Sequence, residues 1–152
     1  MNRIDGKVAV ITGGTQGLGA AVAKLFAEAG ALGIVIVGRD QKKGETVASE
    51  ISKAYGIQAK MITADLEKIE DVQRIIAETD NIFGRVDILV NSAGLTDRGN
   101  ILNTNPDLFN RMIAVNTRAP FFLIQDAAKI MIREHIEGRI INIGSMSEHA
   151  GQ

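Results

Sequence analysis

Gly13, Gly17 and Gly19, within Thr12-Gly13-Gly14-Thr15-Gln16-Gly17-Leu18-Gly19, stand between a short apolar run and an Ala-rich helical pattern. Val8-Ala9-Val10-Ile11 reads as a strand buried on both faces of a parallel sheet. Apolar groups then recur at helical spacing from Ala20 to Ala29, with Ala21, Val22, Leu25, Phe26 and Ala29 expected on one stripe. Glycines between such elements let the backbone take positive φ and let an anion reach main-chain N–H groups that no Cβ shields. The helix that follows aims its unpaired N–H groups and positive dipole end at the same point. The dipole supplies about 0.3–1 kcal/mol, so several N–H bonds must supply the rest. Gly13, Thr15, Gln16, Gly17, Leu18 and Gly19 are therefore candidates to hold a phosphate-bearing cofactor. The spacing is Gly-x-x-x-Gly-x-Gly, and no Gly-Lys-Ser/Thr follows, which argues against a nucleoside triphosphatase loop.

Other groups could complete such a site. Arg39 lies about twenty residues beyond Gly19, where the adenosine ribose of a dinucleotide should meet the end of a second strand. A guanidinium there can form a forked bond to a 2′-phosphate, which favours NADP over NAD, unless Arg39 is simply solvated. The neighbouring Asp40 would either serve a ribose hydroxyl, as in an NAD site, or cap the next helix. Asp65, with Leu66 beside it, ends a third strand and either accepts from an adenine amino group or caps a helix starting near Glu67 or Lys68. Asn91, Ala93 and Gly94 end a fourth strand, where small residues let a ring or ribose lie against the backbone. Ser145 follows a fifth strand, near where a nicotinamide would end. His149 together with Ser145 does not make a serine hydrolase, because the chain has no Gly-x-Ser-x-Gly elbow and no buried-acid candidate at a suitable strand end. His135 reads as an exposed residue at a helix C-terminus, favoured there by the dipole.

The elements that would position these groups alternate along the chain. Ile34–Val37 reads as a second strand closed by Gly38, and Gln41–Tyr55 as an exposed helix turning Val47, Ala48 and Ile51 inward. Gln58–Thr63 reads as a third strand, placed at an edge by Lys60. Ile69–Phe83 is amphipathic, with Val72, Ile75, Ile76 and Phe83 on the core side, and Asp87–Asn91 is the fourth strand. A helix capped by Asn105, with Pro106 first, runs on toward His135 and is interrupted or bent between Asn116 and Pro120. Arg139–Ile143 is the fifth strand. Alternating strands and helices imply an α/β, doubly wound parallel sheet of the Rossmann type, with ligands beyond the carboxyl ends of the strands. No linker, repeat or low-complexity tract divides residues 1–152, which read as a single dinucleotide-binding domain.

Composition narrows the partners. Lys+Arg 17 against Asp+Glu 18 leaves a formal net charge of -1, which disfavours nucleic acid and anionic membranes. With Cys 0 there is no disulfide framework or thiolate metal site, and no metal ion is expected. No apolar run approaches the ~18 residues of a membrane span, and a cytoplasmic location is expected.

Taken together, Thr12-Gly13-x-x-x-Gly17-x-Gly19, Asp65, Asn91-Ser92-Ala93-Gly94, Val115-Asn116-Thr117 and Gly144-Ser145 resemble the short-chain dehydrogenase/reductase family over essentially the whole chain. The resemblance implies an oxidoreductase that passes a hydride between NADP(H) and a small-molecule alcohol or carbonyl substrate. It implies that Ser145 holds the substrate oxygen and that Asn116 joins a catalytic tetrad through its main-chain carbonyl and a bound water. It also implies a homo-oligomer, a dimer or tetramer, in which the long helix from about Asn105 to His135 could pair with its copy. Two residues depart from the family pattern: Ser92 replaces the second Asn of Asn-Asn-Ala-Gly, and Gln16 stands where NADP users often carry a base. The family's Tyr-x-x-x-Lys acid/base is absent, and the one tyrosine, Tyr55, has Ala59 four residues later. A fifth strand left as a bare apolar edge is a form natural sheets avoid, so the 152 residues are expected to be the N-terminal part of a longer enzyme. The rival expectations are a catalytically inactive dinucleotide-binding module, or a different Rossmann-like binder such as a methyl-transfer or flavin protein.

Overall fold

The computed structural model describes residues 3–97 and 99–145. Val8–Thr12 (β1), Gly33–Gly38 (β2), Gln58–Thr63 (β3), Ile88–Asn91 (β4) and Arg139–Asn142 (β5) form one parallel sheet in the order β3-β2-β1-β4-β5. The connecting helices are Gly17–Glu28 (α1), Gln41–Tyr55 (α2), Ile69–Phe83 (α3), Pro106–Ile113 (α4) and Ala119–Arg133 (α5). Strand order reverses between β1 and β4, which makes this a doubly wound, Rossmann-type sheet with its crevice at the carboxyl end of β1.

The apolar runs are continuous because both faces of the sheet are covered, and alternate residues serve opposite faces. Val10, Val35, Val37 and Leu89 pack with Val72, Ile75 and Ile76 of α3 and with Leu123 and Ala127 of α5. Ala9, Ile11, Ile34, Ile36 and Val90 pack on the other side with Ala23 and Ala27 of α1 and with Ala48 and Ile51 of α2. Each fully buried Val, Leu or Ile contributes about 1.5–3 kcal/mol. Strand ends are held level by register: Thr12 lies opposite both Val37 and Asn91, Gly38 opposite Thr63, and Asn91 opposite Asn142. Every loop that follows a strand therefore opens on one edge.

Several expectations shift. The inward stripe of α1 is Gly19, Ala23 and Ala27, with Val22 and Phe26 at its flanks, whereas Ala21 and Leu25 face outward. Small side chains at four-residue spacing let α1 press close to the sheet, and that close approach overrides the hydrophobic size pattern. The long helix has three parts, because residues Ala114–Arg118 between α4 and α5 form a π-helical turn. His135 lies beyond the last helical residue, Arg133, at φ 53° in the left-handed region, rather than in the helix. β3 is an edge strand with Lys60 exposed, as its composition suggests. β5 forms the opposite edge, with Ile140 and Ile141 each 39% exposed.

The sheet's amino-terminal edge is clamped by Asp87, whose side chain is 2% exposed. It accepts from the Val8 N–H at 2.9 Å, from Arg85 Nε and Nη2 at 2.8 Å each, and from Lys7 Nζ at 3.3 Å. Burial alone would push this carboxyl up, but the bonds from Arg85, Val8 and Lys7 outweigh it and hold Asp87 below the ordinary carboxylate range.

Candidate functional site

A cleft of about 380 Å³ opens at the carboxyl edge of the sheet, a size suited to a small ligand or cofactor. Its floor is the turn between β1 and α1. Gly13 sits at φ 69°, and a Cβ there would lie 3.0 Å from Ala93 Cα and N. A Cβ on Gly19 would strike the Gly13 carbonyl, so the start of α1 packs directly on the turn. Gly17 opens the helix at φ 54° with nothing within 4 Å of where a Cβ would stand. The cap residue Gln16 makes no side-chain bond to the helix, and its first turn holds no acidic residue. In contrast, Asp40 caps α2 and Asn105 caps α4 through their side chains. The N–H groups at the start of α1 thus have neither a side-chain cap nor an acid beside them, at a helix end that lines the cleft, which fits the pyrophosphate of a dinucleotide.

Thr12 joins this floor to the opposite wall. Its buried hydroxyl accepts from the N–H groups of Ser92 at 3.1 Å and Ala93 at 3.2 Å, and lies 3.5 Å from the Val90 carbonyl. The wall that follows β4 is Ser92, Ala93, Gly94 and Leu95. Asn91 is not among the residues that line the cleft, and its side chain is engaged within the sheet. It is 4% exposed, and its Nδ2 donates to Asn142 Oδ1 at 2.8 Å, which ties β4 to β5.

Arg39 and Asp40 differ in what they engage. Arg39 is exposed and lines the cleft beside Gly38 and Thr15. Asp40 caps α2, accepting from the Lys43 N–H at 3.0 Å, with Lys43 Nζ at 3.7 Å. On the third loop Asp65 lines the cleft together with Leu66, and its Oδ1 accepts from the Glu67 N–H at 3.1 Å. That bond closes a local turn, while α3 begins later, at Ile69, with Lys68 at the cap position. The Asp65 N–H in turn donates to Asp71 Oδ2 at 2.8 Å, the bond that does most to lower the Asp71 carboxyl's pKa.

Asn116 lies in the π-helical turn, where its side chain grips the backbone of Leu95, accepting from its N–H at 2.8 Å and donating to its carbonyl at 2.7 Å. Neither Asn116 nor Ser145 lines the cleft; Val115 and Ile143 do, and Ser145 is exposed two residues further on. His149 lies outside the described residues. Tyr55 ends α2 and has no place in the cleft lining.

One group escaped the sequence reading. Glu67 lines the cleft, accepts from Arg111 Nε with both oxygens at 3.0 Å, and gives its main-chain carbonyl to Arg118 Nη2 at 2.7 Å. These partners are 44 and 51 positions away, and no local spacing signals such a contact. Among the described residues, no group of three or more His, Cys, Asp or Glu could hold a metal ion, and no helix is long and apolar enough to cross a membrane.

The family model described as short chain dehydrogenase matches residues 7–152. Versicolorin reductase 1 of Aspergillus parasiticus is 39% identical over 140 residues, covering 92% of this chain and 52% of that protein. The L-rhamnose 1-dehydrogenase (NADP(+)) of Thermoplasma acidophilum is 35% identical over 146 residues, covering 96% of this chain and 57% of that protein. A metagenomic short-chain oxidoreductase solved in complex with NADP superposes with a TM-score of 0.86 at 36% identity, covering 93% of this chain and 63% of that one. The chain spans about half the length of the curated relatives it matches.

Proposed function

The chain belongs to the short-chain dehydrogenase family, and from that premise we propose that it carries the cofactor half of an oxidoreductase acting with NADP(H) on a small alcohol or carbonyl substrate. When bound, the nicotinamide ring gives or takes the hydride. The chain's own residues bind and orient. The N–H groups at the start of α1, with the α1 dipole, hold the pyrophosphate, and Arg39 holds the 2′-phosphate. Asp65 and Leu66 border the adenine, and the backbone of Ala93 and Gly94 borders the ribose. Ser145 holds the substrate oxygen, and Asn116 acts through its main-chain carbonyl while its side chain fixes the wall at Leu95. Both depend on a tyrosine and lysine that these 152 residues do not supply at the cleft. The NADP complex of the metagenomic relative supports the cofactor assignment. Exposed Phe109, Ile113 and Phe121 support self-association through α4 and α5.

The division of labour between Arg39 and Asp40 carries the choice of NADP. The guanidinium faces the cleft while the carboxylate, the group that would repel a 2′-phosphate, is engaged at the α2 cap. Fluorescence titration with NADPH and NADH tests it. Arg39→Gln should cost about tenfold or more in NADPH affinity, equivalent to about 1.4 kcal/mol, and leave NADH unchanged. Equal affinity for the two nucleotides, unmoved by Arg39→Gln, would refute the assignment.

A further inference from the structure

Arg39 shares its cleft with a carboxylate. Glu67 lines the same space from the loop after β3, and Arg39 lies close enough to lower the pKa of its carboxyl, behind the larger effect of Arg111. Left alone, Glu67 would be a poor neighbour for a 2′-phosphate, because it would repel the phosphate and offer Arg39 a competing partner. It is not left alone. Arg111, from the last turn of α4, reaches across and binds both carboxylate oxygens at 3.0 Å, and Arg118, from the π-helical turn, holds the main-chain carbonyl of the same residue at 2.7 Å. The Arg111 side chain is 48% exposed and that of Glu67 is 25% exposed. An exposed pair of this kind adds little to fold stability. Its position beside Arg39 gives it another use.

We propose that Arg111 is a specificity-determining positioning residue, which engages the Glu67 carboxylate so that Arg39 stays open to the 2′-phosphate of NADP(H). The inference rests on the assignment of Arg39 to that phosphate. Without Arg111, Glu67 turns to Arg39, and the site loses its preference for the phosphorylated nucleotide while keeping its grip on the pyrophosphate and adenine. The pairing also ties the adenine-side loop to α4 and the π-helical turn, so nucleotide choice is set partly by an element distant in sequence from the cradle.

The test is a set of NADPH and NADH titrations of the same chain, read as the ratio of the two affinities, with a thermal melt for each variant. Arg111→Gln should lower NADPH affinity about five- to tenfold and leave NADH within about twofold. Glu67→Gln should keep the wild-type ratio or raise it, and the double variant Glu67→Gln/Arg111→Gln should recover the ratio lost in Arg111→Gln. Arg111→Lys, which keeps the charge, should retain most of the preference. The loss in Arg111→Gln should shrink in about 0.5 M salt, as a charge effect must. A wild-type preference for NADPH that survives Arg111→Gln, equal losses for both nucleotides, or a double variant no better than Arg111→Gln would each overturn this inference alone. A wild type without preference, insensitive to Arg39→Gln, would remove the phosphate assignment and this inference with it.

Discussion

Gly19→Ala probes the cradle at its tightest point. The new Cβ would lie 2.7 Å from the Gly13 carbonyl carbon and 3.1 Å from Gly14 Cα, and closer still to the Gly13 oxygen. All of these are backbone atoms, so relief requires the turn itself to move. Overpacking of this kind costs about 1–3 kcal/mol, and the higher helix propensity of alanine returns at most about 1 kcal/mol. For a chain of 152 residues each kcal/mol shifts Tm by about 2–4 °C, so the melt should fall by a few degrees. The same movement displaces the N–H groups at the start of α1, so NADPH affinity should drop more than about tenfold. Gly56→Ala is the control. Gly56 follows α2 at φ 68° with nothing within 4 Å of a Cβ, so its cost is about 1–2 kcal/mol of left-handed strain at the opposite edge of the sheet. It should lower the melt comparably and leave nucleotide affinity alone. Differential scanning calorimetry and fluorescence titration of the two variants side by side separate local damage from general destabilisation. If Gly19→Ala binds NADPH as tightly as the wild type, the close packing of α1 on the turn does not organise the site, and the account of the cradle fails.

Other outcomes follow from buried polar groups. Asp87→Asn leaves Arg85 and Lys7 facing a neutral amide at a site 2% exposed and should cost about 2–4 kcal/mol at pH 7, measured by urea unfolding. Because the folded carboxyl lies below its unfolded value of about 3.9, this stabilisation is complete above about pH 4 and is lost as pH falls through the folded pKa. The gap between wild type and Asp87→Asn should therefore close in acid, and a gap that stays constant down to pH 2 would contradict the ion-pair account. Thr12→Val removes the acceptor for the Ser92 and Ala93 N–H groups and should cost about 1–3 kcal/mol, with faster amide exchange at both positions. Asn116→Ala frees both polar groups of the Leu95 backbone, and hydrogen exchange at Leu95 should rise while β1 and β2 stay protected.

The continuous apolar runs such as Val8–Ile11, the helical periods between them and the glycine spacing after β1 were enough to show strands, helices, parallel winding and the edge where ligands bind, because buried strands and tight turns admit few residue types. Helix faces were less legible where size misled: Leu25 outranks Ala23 in hydrophobicity, yet α1 turns its small residues inward because the turn at Gly13 draws the helix too close for a larger side chain. The loops after β1, β2, β3 and β4 line one cleft, Ser145 after β5 does not, and membership was decided by direction. Asn91 points into the sheet and binds Asn142, while Arg39 and Asp40, adjacent in the chain, part at the start of α2, one into the cleft and one onto the helix cap. The pairing of Glu67 with Arg111 belongs wholly to the tertiary structure, since a contact across 44 positions depends on how α4 lies over the loop after β3. Local sequence sets what a segment can become, through sterics and hydrophobic period. Which charges meet is fixed only when the sheet has brought distant loops to the same edge.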